Sequence, residues 1–291
     1  MDVVERFYGE LDGKVTDGVH ALVRKVFDVE LTSTPVTKGL PTVDSPTPIV
    51  IACALYLTIV IGGLIWIKAK DLKPREKEPV LMQALVLVHN LFCFALSLYM
   101  CVGITYQAIT HRYSLWANAY RPQHKEMAIY LYLFYMSKYV EFMDTIIMIM
   151  KRSTRQISVL HVYHHSSISL IWWAIVHHAP GGEAYFSAAL NSGVHVFMYL
   201  YYFLAACLRG NPKLRAKYLF WGRYLTQFQM FQFMLNLVQA YYDIKTNAPY
   251  PQWLIKILFY YMISLLFLFG NFYVQKYIKP SNGKQKGAKT E

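Results

Sequence analysis

The run Val80–Ile104, VLMQALVLVHNLFCFALSLYMCVGI, decides the fold. It contains no charged side chain, and as a helix rising ~1.5 Å per residue it is long enough to cross a ~30 Å hydrocarbon layer. Working outward from it, six more runs of similar length can be read, giving spans at roughly 48–67, 80–104, 128–150, 157–176, 184–208, 218–241 and 253–275. Composition agrees: 55% of the 291 residues are hydrophobic and only 16% charged, against about 25% charged in soluble domains. Mean hydropathy is +0.26. A soluble chain of this size could not hide seven such runs in one core. The expectation is an all-α integral membrane protein with seven transmembrane helices.

Loop charge sets the expected orientation. One side carries Lys68 to Lys77, Lys151 to Arg155, Arg209 to Lys217 and a tail with Lys276, Lys279, Lys284, Lys286 and Lys289, 17 Lys and Arg against nine on the other side. The richer side is read as cytosolic, which places the N-terminus in the lumen and the C-terminus in the cytosol. The chain then divides into an N-terminal luminal or interfacial segment (1–47), a seven-helix transmembrane domain (48–275) and a basic cytosolic tail (276–291). Val15, Val19, Leu22, Val23 and Val26 are spaced for an amphipathic interfacial helix; a partly ordered tail before the Pro35–Pro48 stretch is the alternative. With this much apolar surface the net charge of +12 reports topology, and nucleic acid is excluded as a partner. Cys53, Cys93, Cys101 and Cys207 fall within apolar runs, without metal-type or disulfide-type spacing. No cleavable leader and no internal repeat is apparent, so an inverted-repeat transporter gains no support.

Polar residues inside a bilayer must face protein or water, so each span declares its inner face. The first offers little beyond Thr58 and is expected at the periphery. The third carries Lys138, Glu141 and Thr145 at i, i+3, i+7, with Asp144 beside them. On the fourth, His161, His164 and His165 form H-x-x-H-H on one face. The fifth aligns Asn191, His195, Tyr199 and Tyr202, and the sixth Thr226, Gln229, Gln232, Asn236 and Gln239. The second adds His89 and Asn90, and the seventh Ser264, Asn271 and Gln275. Counting ~1.5 Å per residue from the basic loops puts His161–His165 about 9–15 Å inside the cytosolic boundary, level with Glu141, Asp144, Gln229 and Gln232. A polar chamber at the cytosolic end of an apolar cavity is expected, its luminal half lined by residues such as Trp172, Trp173, Phe186 and Tyr241.

Three chemistries fit such a chamber. H-x-x-H-H is also one box of membrane di-iron desaturases and hydroxylases, and imidazole suits iron. Those enzymes need several histidine boxes, however, and His20, His111, His124, His177 and His178 lie away from this cluster, so no metal is expected. A non-catalytic lipid transporter or binder is the second. The third uses neutral imidazole as nucleophile or base toward a thioester, with Asn191, the glutamines and the tyrosines as oxyanion donors. No cysteine is placed to take that part, since Cys207 sits off the His195 stripe near the end of its span.

The boxes Lys138-Tyr-Val-Glu141-Phe-Met-Asp144-Thr145, His161-Val-Tyr-His164-His165, Asn191-Ser-Gly-Val-His195-Val-Phe-Met198-Tyr199-Leu-Tyr201-Tyr202 and Thr226-Gln-Phe-Gln229-Met-Phe-Gln232 resemble the four signatures of the ELO fatty acid elongases, in family order and spacing. The His-Val-Tyr-His-His variant, preceded by Gln156, is similar to the polyunsaturated-chain subgroup. Much of the chain, including Leu219–Leu225, resembles bryophyte members acting on Δ6- or Δ5-desaturated chains. The resemblance implies a very-long-chain 3-oxoacyl-CoA synthase of the endoplasmic reticulum membrane. It would condense a polyunsaturated C18–C20 acyl-CoA with malonyl-CoA, releasing CO2 and CoA, without a cofactor. Helices 2–7 would surround a substrate tunnel. By the same resemblance His164 would take the acyl group and His195 would assist decarboxylation or polarise the carbonyl. Asn191 would hold the enolate, and His161 and His165 would orient His164. Tyr199, Tyr201, Tyr202, Gln229 and Gln232 would line the path; Lys138, Glu141 and Asp144 would bind substrate or form a structural charge network. Implied partners are the bilayer and the 3-oxoacyl-CoA reductase, dehydratase and enoyl reductase of the elongation cycle; a homodimer stays open. A dilysine retention signal, frequent in the family, is met by only one lysine in Gly287-Ala-Lys289-Thr-Glu291.

Overall fold

In a computed structural model that describes residues 3–75 and 77–279, every regular element is helical. The helices are α1 (Val3–Phe27), α2 (Thr47–Ala69), α3 (Val80–Thr110), α4 (Lys125–Met150), α5 (Val159–His178), α6 (Ala184–Cys207), α7 (Pro212–Tyr218), α8 (Gly222–Lys245) and α9 (Gln252–Tyr273), which ends in a π turn over Val274–Ile278. Long helices therefore occupy all seven expected runs. Those in α2, α3, α6 and Gln252–Ile278 are long and apolar enough to cross a membrane by composition. The polar residues of α4, α5 and α8 lower their hydropathy, but these residues face inward: Lys138, Glu141, Thr145, His165, Thr226, Gln232, Asn236 and Gln239 are all buried. Outward faces carry Ile59, Ile65, Phe92, Val102, Phe231 and Phe267. An apolar belt of that extent belongs in lipid, and the chain is an integral membrane protein.

Sequence punctuation explains the boundaries. Ser158 caps α5 by accepting from the His161 N–H at 3.2 Å, which places the H-x-x-H-H box in the first two turns. Asn211 caps α7, accepting from the Leu214 N–H at 3.1 Å, and Pro212 follows at the position where a missing N–H costs nothing. This short helix occupies part of the linker expected before the sixth span, so α8 starts at Gly222, four residues later than the hydropathy suggested. The helical alternative holds for the N-terminal segment: α1 has no buried residue, although Val19, Val23 and Phe27 pack on the core. The end of the basic tail, from residue 280, lies outside the described residues.

Helix packing closes a ring in the order α3, α4, α5, α9, α8, α6 and back to α3. The α3–α6 seam is its most extensive, and α2 sits outside against α4 and α5. Two runs of consecutive helices build this ring, so the α5–α6 connection must cross it. The crossing strand, Ala179–Glu183, is buried throughout. Gly182 makes it feasible: its φ is +51°, and a Cβ there would lie 2.7 Å from Tyr250 Cδ2, 2.8 Å from Asn118 O and 2.9 Å from Tyr120 N. Residues 28–46 cover the same end. Leu31, Thr34, Thr37 and Val43 are buried, and Val43 O accepts from both Trp173 Nε1 (3.1 Å) and His177 Nδ1 (2.9 Å). The other end carries the basic linkers, where Glu78 bridges Lys151 Nζ at 3.3 Å and the Arg209 guanidinium. Burial pushes the Glu78 carboxyl up, but the two cations outweigh it and hold the group below the usual carboxylate range.

Candidate functional site

The inner stripe of α4 organises the polar residues of the ring. Lys138 and Glu141, three residues apart, form an ion pair at 2.6 Å with side-chain exposures of 1% and 4%. The Lys138 ammonium also sits 4.1 Å over the Phe134 ring, an attraction that gains strength out of water. Glu141 Oε1 further accepts from Ser137 Oγ at 3.0 Å and lies 3.6 Å from His195 Nδ1 on α6. Its buried Oε2 has no partner among the described residues.

One turn on, Asp144 bridges two other helices. Its Oδ1 lies 2.8 Å from His89 Nε2 on α3, and its Oδ2 accepts from the Tyr199 hydroxyl of α6 at 2.8 Å. The Tyr199 ring stands edge-on to both His195 and His89, with centroids 5.7 and 6.4 Å away. Thr145 completes the stripe, with Oγ1 2.7 Å from His161 Nε2 and 3.0 Å from the Tyr56 hydroxyl on α2. Three successive polar positions of one helix thus reach α6, α3, α5 and α2.

The three histidines of α5 are held differently. His161 is bonded to Thr145, and the His165 ring lies between its neighbours, centroids 4.3 Å from His161 and 5.6 Å from His164. His164 is half-buried, and its Nδ1 lies 3.1 Å from the Tyr261 hydroxyl of α9. On the far side of the ring Asn191 Nδ2 approaches Gln232 Oε1 at 3.5 Å, and Ser192 Oγ and Asn236 Oδ1 are buried without partners. Native interiors leave few polar atoms unpaired, so these and Glu141 Oε2 are places for water or a polar ligand.

Several expected residues stand apart. Tyr201 packs edge-on against Trp221, centroids 5.0 Å apart, at the link between α7 and α8. Tyr202 is exposed, 6.1 Å ring to ring from Tyr199. Gln229 reaches only Met198 Sδ at 3.7 Å. The reading of the first span is corrected: Thr58 is exposed and bonds its own helix, whereas buried Tyr56 joins the network. The Tyr56 hydroxyl is a single polar atom on a largely hydrocarbon side chain. The reading of the thiols is narrowed too, because buried Cys93 lies 3.7 Å from His89 Nε2.

Tyr261 was missed altogether. It lies three residues before Ser264 on the same face of α9, a spacing that could have drawn attention to it. Also unforeseen is a second acidic cluster at the crossing strand. Buried Glu183 accepts from the Asn118 backbone and side-chain N–H groups and from Gln239 Nε2 at 2.5 Å. Asp243 accepts from the Ala117 N–H at 3.2 Å. Burial, with Asp243 nearby, pushes the Glu183 carboxyl up to about 7. The Trp172 and Trp173 side chains are buried, while Tyr241 is exposed.

Residues 41–285 match the GNS1/SUR4 (ELO) family. The chain is 36% identical over 252 residues to human very long chain fatty acid elongase 5, covering 86% of this chain and 80% of that one. It is 34% identical over 254 residues to human very long chain fatty acid elongase 4, covering 86% and 77%. To fatty acid elongase 6 of Leishmania major it is 45% identical over 201 residues, covering 66% of this chain and 52%, about half, of that relative.

Proposed function

The chain belongs to the ELO (GNS1/SUR4) family of fatty acid elongases, and from that premise we propose that it is the condensing enzyme of an elongation cycle, a 3-oxoacyl-CoA synthase. A long-chain acyl-CoA and malonyl-CoA are its substrates, and a 3-oxoacyl-CoA two carbons longer, CO2 and CoA its products. Polyunsaturated C18–C20 chains are the proposed acyl class, on the resemblance of the His161–His165 box. The carrying observation is the placement of His164 and His195 within one closed helical ring, each with one ring nitrogen near a side chain that can fix its orientation.

In this reading His164 attacks the thioester carbonyl, the C–S bond breaks, and the acyl group rests on imidazole. Malonyl-CoA then loses CO2, and the enolate carbon attacks the acyl carbon, releasing His164. His195, held by Glu141 and Tyr199, assists decarboxylation or, as imidazolium, polarises the malonyl thioester carbonyl, and Asn191 donates to the enolate oxygen. His165 packs against the His164 ring and His161 backs His165, so that both orient His164. The Lys138–Glu141 pair and Asp144 support this geometry from α4. Tyr199, Tyr201, Tyr202, Gln229 and Gln232 border the path of the carrier. Seven membrane crossings and a cytosolic basic end belong to the same reading, supported by seven long helices and the loop-charge asymmetry, and residence in the endoplasmic reticulum is proposed on the family resemblance alone. The luminal or interfacial place of residues 1–47 and the reductase and dehydratase partners belong to this reading too.

Detergent-purified protein given malonyl-CoA and a mixture of saturated, monounsaturated and Δ6- and Δ5-desaturated acyl-CoAs should yield 3-oxoacyl-CoA by mass spectrometry, with the polyunsaturated species consumed fastest. His164→Ala should abolish product, and Cys207→Ala should not. No product from folded protein would overturn the reading.

A further inference from the structure

The histidine proposed as nucleophile can attack only through a nitrogen that carries no proton, and in a neutral imidazole one nitrogen is always protonated. Which one is bare depends on the partner of the other. His164 Nδ1 faces the Tyr261 hydroxyl at 3.1 Å. A phenol can either donate to Nδ1 or accept from it, and the two cases give opposite tautomers. Donation to Nδ1 leaves the proton on Nε2, which cannot then attack. Acceptance from Nδ1–H leaves Nε2 with its lone pair.

The surroundings of Tyr261 decide between them. Its hydroxyl is 3.0 Å from Ser167 Oγ and 3.4 Å from the His164 carbonyl oxygen. Ser167 has one proton, and its shortest bond, 2.6 Å, runs to the Tyr163 carbonyl. Ser167 Oγ also stands as the donor toward the Tyr261 oxygen, so it meets one lone pair of the phenol and does not take the phenolic proton. The phenolic proton is directed to the His164 carbonyl, and the lone pair that Ser167 leaves free faces Nδ1. The supporting residues are fixed as well. Tyr261 is 6% exposed, and the Tyr163 hydroxyl is tied to Ser264 Oγ at 2.9 Å, joining α5 to α9 a second time.

We propose that Tyr261 and Ser167 are positioning residues that hold His164 as the Nδ1–H tautomer and so expose Nε2 to the acyl thioester; this rests on the acyl-imidazole reading above. The balance of the step follows. The Nε2 lone pair forms the N–C bond as the C–S bond breaks, giving an acyl-imidazolium that keeps its Nδ1 proton against the Tyr261 oxygen. CoA leaves as thiolate and takes a proton from water. When the malonyl-derived enolate takes the acyl group, Nε2 leaves with its electron pair and neutral Nδ1–H imidazole is restored. The proton on Nδ1 never has to move. The Tyr261 oxygen accepts it most strongly when the ring is positively charged, so the bond contributes more to the transition state than to bound substrate.

The test mixes protein with a polyunsaturated acyl-CoA alone, quenches in acid at timed intervals and weighs the intact protein. Tyr261→Phe keeps the ring and removes the acceptor. It should slow acyl loading by about 10²-fold, within the range of acid–base positioning effects, and lower kcat without raising KM for acyl-CoA. Ser167→Ala should slow loading about tenfold, on the scale of one neutral hydrogen bond, and Ser167→Thr, which keeps the hydroxyl, should restore it. A merely structural contact would lower the thermal midpoint and the active fraction and leave the loading rate of the folded protein unchanged; that result overturns the inference. Wild-type turnover without an acyl mass shift overturns the covalent step and this inference with it. Wild-type loading with an equally fast Tyr261→Phe overturns this inference alone.

Discussion

Replacing Lys138 and Glu141 singly and together separates their two roles. Both are almost fully enclosed, at 1% and 3% exposure, and the ammonium and carboxylate are 2.6 Å apart. Glu141→Gln leaves the ammonium with one neutral amide and the Phe134 face. Lys138→Met keeps the aliphatic stem against that ring and leaves the carboxylate with Ser137 and His195. Removing one member of such a pair costs about 3–5 kcal/mol, because the other charge stays buried. For a chain of this length that corresponds to about 10 °C in thermal midpoint. The double variant Lys138→Met with Glu141→Gln has no stranded charge, so most of this stability should return. Midpoints in detergent for the four proteins give the coupling energy. Activity should behave differently: His195 loses its carboxylate in Glu141→Gln and in the double variant alike, so both should turn over poorly although only the first is unstable. Additive losses of stability would refute the ion-pair reasoning, and full activity in the double variant would refute the role of Glu141 beside His195.

Three other perturbations address the ends of the bundle. The Glu183 carboxyl moves from its ordinary 4.5 up to about 7 on folding, so the folded protein binds more protons between those values and its stability falls as pH rises through that window, by about 3 kcal/mol in all. The midpoint should therefore be higher at pH 5 than at pH 8, and Glu183→Gln should flatten the profile, since Gln239 can turn its unpaired Oε1 toward the new amide; an unchanged profile would place the titration elsewhere. Gly182→Ala should cost about 3 kcal/mol, combining a left-handed backbone with a methyl group pressed against two backbone atoms, and a midpoint within a degree of wild type would show that the crossing strand shifts freely. Glu78→Gln should destabilise by about 2 kcal/mol through the loss of the carboxylate that joins Lys151 and Arg209, with a smaller effect in high salt than for Glu141→Gln, as scans at two ionic strengths would reveal.

The long helices were legible in sequence because lipid demands uninterrupted apolar runs, and polar residues at helical spacing within α4 and α8 marked faces that are largely buried, while those of α5 and α6 are buried only in part. What stayed hidden depends on which helix is next to which. Tyr261 could be linked to His164 only by knowing that α9 packs on α5, and His89 to Asp144 only by knowing that α3 and α6 both flank α4. Periodicity assigns a face to each helix but no order to the ring. Tyr56 was hidden by its residue type, since most of its surface is hydrocarbon and one atom carries the bond. The burial of the connector Ala179–Glu183 left no mark in the sequence, because loops ordinarily stay at the surface, where water can satisfy the backbone.

The segment covering the closed end has a consequence for how the protein is made. Val43 waits for partners 130 and 134 positions further along the chain, Trp173 and His177, and the Thr34 amide waits for the His177 carbonyl. At ~5–20 residues per second of synthesis, these bonds to α5 wait about ten seconds, while α2, α3 and α4 are already emerging. The segment's bonds to Tyr120, Tyr132 and Tyr135 can form earlier, but its seal against α5 cannot. It closes over a bundle that the later helices have built, so the stretch translated among the first is sealed among the last.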